Sequence, residues 1–151
     1  MKFRQAQKKD LPQLVQMLAD DPLGAKRENP TLPLTESYLQ AFATIDKDPN
    51  NELIVAEQDQ QIIGMLQLTF IPYLTYQGSW RCLIEGVRVH KDHRGQGVGR
   101  LLFEWAIKRG RERSCQLMQL TSDKQRSDAI RFYQQLGFVP SHEGFKLSLT
   151  S

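Results

Sequence analysis

The chain has 151 residues, 40% of them hydrophobic and 25% charged, the size and composition of one ordinary globular domain, here expected over residues 1–151. No apolar run approaches the roughly 18–20 residues that span a bilayer, and a formal charge of +3 with its basic run Lys108, Arg109, Arg111 and Arg113 broken by Gly110 and Glu112 lacks the broad stripe or interleaved aromatics of a nucleic-acid binder. Met1-Lys2-Phe3-Arg4-Gln5 lacks the apolar block of a secretory signal, and Cys82 and Cys115 have no CxxC spacing, so free thiols and a cytoplasmic location are expected.

Lys2 to Gln5 reads as a short strand. Asp10 can cap a helix that carries Pro12 in its first turn and Leu11, Leu14, Val15 and Leu18 as its apolar stripe. Residues 20 to 34, with Asp20, Asp21, Pro22, Gly24, Glu28, Pro30 and Pro33, read as a long surface loop. A second helix is expected over Thr35 to Ile45, with Tyr38, Ala41, Phe42 and Ile45 on one side. Glu52–Glu57 and Gln61–Phe70 form a hairpin about Asp59-Gln60, and an irregular stretch from Ile71 to Ser79 leads to a central strand at Leu83–Val89.

From Val98 the apolar positions Val98, Leu101, Leu102, Trp105 and Ala106 recur at helical spacing, and Gly110 is expected to end that helix. Gln116–Thr121 reads as a strand, Arg126–Leu136 as a helix, and Phe138–Pro140 with Phe145–Leu149 as a final strand pair. The order βααβββαβαββ describes an α/β (α+β) fold, a mixed and mostly antiparallel sheet flanked by helices.

Arg94-Gly95-Gln96-Gly97-Val98-Gly99 lies between the central strand and the following helix. Its glycines let the main chain turn tightly, so bare N–H groups and the positive end of the helix dipole converge on one point, which suits a pyrophosphate. Arg94 frames one side, and Arg100 stands in the first helical turn, where a cation makes best sense beside a bound anion. A Walker loop requires Gly-Lys-Ser/Thr where Gly99-Arg100-Leu101 stands, and the dinucleotide fingerprint spaces its last two glycines three apart rather than two. Gly86, inside the central strand, marks a bulge or a close backbone approach. Strict alternation there would put Glu85, Val87 and Val89 on one face and Ile84, Gly86 and Arg88 on the other.

The segment Arg94–Gly99 resembles the phosphate-binding signature of the GNAT acetyltransferase superfamily, Arg/Gln-x-x-Gly-x-Gly/Ala, at every specified position. Leu83–Val89 is similar to the family's fourth strand, and Asp128–Phe138 to its last helix and the strand entry after it. Arg126 stands where many relatives carry an asparagine. The resemblance implies an acetyl-CoA-dependent N-acetyltransferase. Acetyl-CoA is then the co-substrate, with its pantetheine arm along Val87, Arg88 and Val89 and its diphosphate within Arg94, Gly95, Gln96, Gly97, Val98, Gly99 and Arg100. Glu85 stands at the family's position for a strand-borne base, and Tyr133 at that of the acid that approaches the coenzyme sulfur. An alkylammonium acceptor, with a pKa near 10, must lose a proton to react. Glu85 pairing with a neighbouring cation, and Tyr133 as a core tyrosine, are the plain alternatives.

The implied acceptor site is bounded by Tyr38, Phe42, Tyr73, Tyr76 and Trp80, and Asp20, Asp21, Glu28 and Glu36 make that half acidic, which suits a cationic amine. A small amine, an amino acid, an aminoglycoside and a protein N-terminus or lysine all fit. No metal is expected: His90 and His93 flank an exposed Lys91-Asp92 turn without further ligands at a supporting spacing. Cys82 reads as a small buried hydrophobe rather than a nucleophile. Homodimerisation is an expectation at the level of the family, and an acyl-CoA-binding sensor without catalysis is the alternative function.

Overall fold

The computed structural model describes residues 1–150. Five strands lie in spatial order β1-β2-β3-β4-β5: β1 (Lys2–Gln5), β2 (Asn51–Gln58), β3 (Gln61–Pro72), β4 (Trp80–Val89) and β5 (Leu117–Gln119). The first four pair antiparallel, and β5 joins β4 parallel. The helices are α1 (Leu11–Ala19), α2 (Gly24–Arg27), α3 (Glu36–Lys47), the single turn α4 (Thr75–Gly78), α5 (Val98–Glu112) and α6 (Ser127–Gln135). The short α2 falls inside the stretch expected to be loop.

The sheet buries both faces, and the alternation of β2 and β3 divides their side chains between two cores. Leu66, Leu68 and Phe70 join Cys82, Ile84 and the α5 residues Val98, Leu102, Phe103 and Ala106 in one cluster. Val55, Ile62 and Met65 join Ala6 and the α1 residues Leu14 and Met17 in the other, with Leu18 and the α3 residue Phe42 packed against it. Each fully buried Leu or Phe is worth roughly 1.5–3 kcal/mol, so these two interfaces dominate the stability. Leu18 is only half-buried, and Met17 takes its place in the buried stripe of α1. Asp10 sits at the N-cap, but its carboxylate turns back to accept the Gln7 N–H at 2.7 Å and Arg4 Nη1 at 2.8 Å. Burial pushes that carboxyl up, and the Arg4 and Gln7 hydrogen bonds more than offset it, leaving it below the usual carboxylate range. This corner therefore stabilises the fold above that range and weakens as acid reprotonates it.

Along α5 the buried stripe differs from the sequence expectation. Leu101 is 44% exposed and Phe103 is buried, because the side of the helix against β3 and β4 runs through Val98, Leu102, Phe103, Ala106 and Gly110. Gly110 does not end the helix. It packs against the sheet, where a Cβ would lie 3.6 Å from Cys82 Cβ and Met118 Cε. The end comes three residues later in a Schellman closure: Ser114, at φ +60°, donates to Arg111 O, and the Cys115 N–H donates to Gly110 O, both at 3.0 Å. Arg109 ties this helix to β2 through a fork on the buried Glu52, with Nε–Oε1 at 2.9 Å and Nη2–Oε2 at 2.6 Å.

The last expected strand pair is not formed. After α6, residues 138–150 carry no strand, because they have no partner: Val139, Phe145, Leu147 and Leu149 are 76%, 91%, 84% and 92% exposed.

Candidate active site

β4 is the spine of the site. Its pairing with β5 stops at Leu83↔Gln119, so the β4 edge from Ile84 to Val89 has no strand beside it on that side. At the Val89 end, Phe132 and Gln135 of α6 come close to this edge. At the end of β4 the chain passes through a short turn into the glycine loop and α5, and an open cleft of about 370 Å³ lies there. It is lined by Val89, His93, Arg94, Gly95, Gly97, Val98, Gly99, Arg100, Phe132 and Gln135.

Gly95 and Gly97 adopt φ +74° and +83°, left-handed conformations that other residues enter at a cost. A Cβ built at either would meet nothing within 4 Å, so open space lies where a ligand would touch the backbone. Gly97 is the N-cap of α5 and has no side chain to cap it, so the first-turn N–H groups face the cleft. Gly99 is different: it lies in the helix, with its Cα side near Phe132 and Val89. Arg94 turns back from the loop, donating to Val89 O and to Asp20 O and Oδ2 at 3.1–3.3 Å, and so pins the loop to the end of α1. Arg100 is exposed and lies 3.8 Å from Glu104.

At Gly86, φ is +61°, and the β3–β4 register slips between Gln67↔Glu85 and Met65↔Arg88. This bulge corrects the simple alternation. One extra residue flips the side-chain order, so Val87 and Val89 join Ile84 on the α5 face, while Glu85 and Arg88 share the face covered by α1. Gly86 itself lies against Leu18 of α1. Glu85 is exposed and makes no ion pair or hydrogen bond among the described residues. The Val87 carbonyl accepts Arg88 Nη1 at 2.9 Å and retains a second lone pair.

Arg88 belongs to a charged group that the sequence reading missed. Its Nε lies 3.2 Å from Asp21 Oδ2 without forming an aligned hydrogen bond, and Arg126 Nη2 donates to the same oxygen at 3.0 Å. Burial raises the Asp21 carboxyl, but the Gly24 N–H and the two arginines hold it below its usual range. Burial, together with the nearby cations Arg126 and Arg27, leaves Arg88 below the usual arginine value despite Asp21. The position marked by the missing asparagine thus carries an arginine that bridges α6 to the loop after α1.

Tyr133 is set by the end of α6. Gly137, at φ +100°, closes that helix, with the Gly137 N–H on Gln134 O and the Phe138 N–H on Tyr133 O, both at 3.0 Å. The closure packs Tyr133 edge-on against Phe138 at 6.1 Å and against Phe103 and Phe132, both at 5.7 Å. The ring is half-buried, and its hydroxyl has no hydrogen-bond partner among the described residues. Phe132 and Gln135 line the cleft without having been singled out, and His93, weighed only as a metal ligand, lines it too. Gln135 was findable, lying three positions after Phe132 on the same helical face.

The five aromatic residues of the expected acceptor wall have separate surroundings. Tyr38 donates to Glu28 at 2.9 Å and accepts from the Asn29 N–H. Phe42 packs in the α1–α3 core and lines a different small cavity, with Ile45 and Leu53. Tyr73 and Tyr76 hold the Arg81 guanidinium between them at 4.5 and 4.8 Å. Trp80 begins β4, five residues or roughly 17 Å from Glu85 along the strand. Two of the four acidic residues expected there are paired with cations, Asp20 with Arg94 and Asp21 with Arg88 and Arg126, while Glu28 accepts a hydrogen bond from the neutral Tyr38. His90 and His93 stack edge-on at 5.8 Å, and His90 Nδ1 accepts the Asp92 N–H. Cys82 is fully buried, and burial first, then Cys115, pushes its thiol up to about 12, so it is no nucleophile at neutral pH.

A parallel strand pair that parts beyond Leu83 lies beside a helix entered through glycines and left uncapped, and the chain is an acyltransferase by its relatives. Residues 12–138 match the model of the acetyltransferase (GNAT) family, and the chain belongs to that family. Acetyl-CoA is the donor that this family uses. The chain is 61% identical to a transcriptional regulator of Bacillus halodurans C-125 whose crystal structure superposes with a TM-score of 0.95 over 98% of this chain and 99% of that one. It is 29% identical over 114 residues to the aminoalkylphosphonate N-acetyltransferase of Salmonella typhimurium, covering 76% of this chain and 73% of that protein. A predicted acetyltransferase of Clostridium acetobutylicum crystallised with acetyl-CoA shares the fold at 21% identity and a TM-score of 0.74, covering 98% and 96% of the two chains. Among the described residues, no helix is long and apolar enough to cross a membrane.

Proposed function

We propose that residues 1–151 act as one cytoplasmic N-acetyltransferase domain that passes the acetyl group of acetyl-CoA to a primary amine by direct attack in a ternary complex. The observation that carries this reading is the free β4 edge beyond Leu83, which ends at the open amides of α5 in a cleft shared with Phe132, the neighbour of Tyr133 on α6. Val87 and Val89 offer main-chain groups to the pantetheine arm, and Gly95 to Arg100 surround the diphosphate. Glu85, unpaired beside the bulge, takes the amine proton directly or through water. The Val87 N–H steadies the charge that develops on the thioester oxygen. The amine lone pair forms the new C–N bond as the C–S bond breaks, and Tyr133 gives its proton to the departing thiolate. The matching signature is a Glu85→Gln variant that loses the acidic limb of the kcat/KM pH profile; an unchanged limb assigns the base elsewhere.

For the acceptor, the pairing of Asp20 and Asp21 with arginines weighs against the cationic site expected from composition. Arg88 and Arg126 place two guanidinium groups around Asp21 on the face that carries Glu85. The acceptor in this reading is a small amine that also bears an anionic group such as a carboxylate or the phosphonate named for the Salmonella typhimurium relative. Release of free thiol from acetyl-CoA is measured over a panel of amines with and without an anionic group. Turnover concentrated on the anionic amines is the expected result, and equal turnover of neutral amines contradicts this acceptor class. Acetyl-CoA binding without turnover across the panel is what a regulatory sensor would give, a reading favoured by the Bacillus halodurans relative's description.

A further inference from the structure

The two arginines around Asp21 are not equivalent. The Arg88 side chain is 13% exposed and turned inward: Nη1 donates to Val87 O at 2.9 Å, and Nε is buried against Asp21. The Arg126 side chain is 34% exposed and gives Asp21 Oδ2 an N–H from Nη2 at 3.0 Å. A guanidinium carries five N–H donors in a planar fork, and the remaining donors of Arg126 have no partner among the described residues. Asp21 is itself held by the Gly24 N–H, so it fixes Arg126 in place before any ligand arrives.

The surroundings of Arg126 suit an anion. It is the N-cap residue of α6, and its side chain makes no cap hydrogen bond, so the Ser127 and Asp128 N–H groups stay open next to it. Arg27, at the end of α2, is exposed and adds to the positive field at Arg88. The site is also close to the chemistry. Glu85 and Arg88 lie opposite Gln67 and Met65, two residues apart on β3, so their Cα atoms are about 7 Å apart. Tyr133 follows Arg126 by seven residues, two turns or about 10 Å along one face of α6.

We propose that Arg126 is the specificity-determining residue of the acceptor site: its free guanidinium N–H groups, with the open amides of α6, take the phosphonate or carboxylate of the acceptor. Arg88 is a positioning residue that holds Asp21 and the Val87 carbonyl. The assignment rests on the anionic acceptor proposed above and adds which side chain selects it. An asparagine at this position has neither the charge nor the fork, so the substitution in this chain exchanges a neutral amide for an anion receptor.

Steady-state kinetics with 2-aminoethylphosphonate and with propylamine, which lacks the phosphonate, test this in the unmodified enzyme and in Arg126→Asn. The variant is expected to raise the KM for 2-aminoethylphosphonate at least about 10-fold with kcat within about twofold, and to lower the preference for it over propylamine by the same factor. A second measurement needs no variant: methylphosphonate, an anion without the amine, is expected to inhibit competitively against 2-aminoethylphosphonate and not against acetyl-CoA. A raised KM for acetyl-CoA in Arg126→Asn, equal losses on both amines, or methylphosphonate inhibition competitive with acetyl-CoA each overturns the assignment. An unmodified enzyme with no preference for the phosphonate defeats the acceptor class itself, whereas a preference that survives Arg126→Asn defeats the role of Arg126 alone.

Discussion

Replacing Tyr133 by phenylalanine is expected to lower kcat by about 100-fold while leaving the KM for acetyl-CoA within about twofold, the size of effect typical of a lost general acid. The substitution is clean because the ring, not the hydroxyl, holds the packing. Phe103, Phe132 and Phe138 surround Tyr133 edge-on, and the α6 closure through Gly137 depends on backbone groups alone. The hydroxyl has no partner to lose, so the melting temperature is expected to stay unchanged. Steady-state kinetics with a thiol-release readout checks this, and unchanged turnover would mean that the leaving thiolate takes its proton from another group.

The second large effect falls on Gly97. Gly97→Val places a β-branched residue at φ +83°, a conformation it adopts poorly, and puts its side chain into the open space beside the first amides of α5. The expected result is at least about a 100-fold loss of acetyl-CoA affinity, which corresponds to losing one or two hydrogen bonds to a charged group. Because nothing lies within 4 Å of the built Cβ, the loss comes from backbone strain and obstruction of the ligand rather than from a clash within the protein. Gly97→Asn is the informative companion, since asparagine tolerates the left-handed region: it should recover the loop conformation while still crowding the diphosphate. Titration calorimetry on variants shown to be folded measures both, and full affinity in Gly97→Val would remove the loop from the binding site.

Much of this site was readable from spacing alone. The loop from Arg94 to Gly99 has the glycines that its positive φ angles demand, and the lone glycine of the central strand marks the bulge at Gly86. What the sequence could not show is what that bulge does to its neighbours. Counting alternate residues through Gly86 put Glu85 with Val87, whereas the inserted residue moves Glu85 to the face of Arg88. Tertiary contacts decided the other departures. Gly110 looks like a helix stop, yet it allows close packing on Cys82 and Met118, and Ser114 performs the closure. Asp20, Asp21 and Glu28 look like a cation site in one dimension, but their partners Arg94, Arg88, Arg126 and Tyr38 come from distant elements or from across a loop. The alternation at Phe145–Leu149 reads as a strand, but no strand forms there and those three side chains stay exposed.

The central claim is that main-chain amides at the start of α5 grip the diphosphate of acetyl-CoA. Its most direct test is to titrate the folded protein with acetyl-CoA and, separately, with S-acetylpantetheine, which keeps the thioester and the arm but lacks the diphosphate. Acetyl-CoA is expected to bind at least about 100-fold more tightly, as the loss of several charge-assisted hydrogen bonds requires. Equal affinity for the two compounds, or no heat with either, would contradict the account.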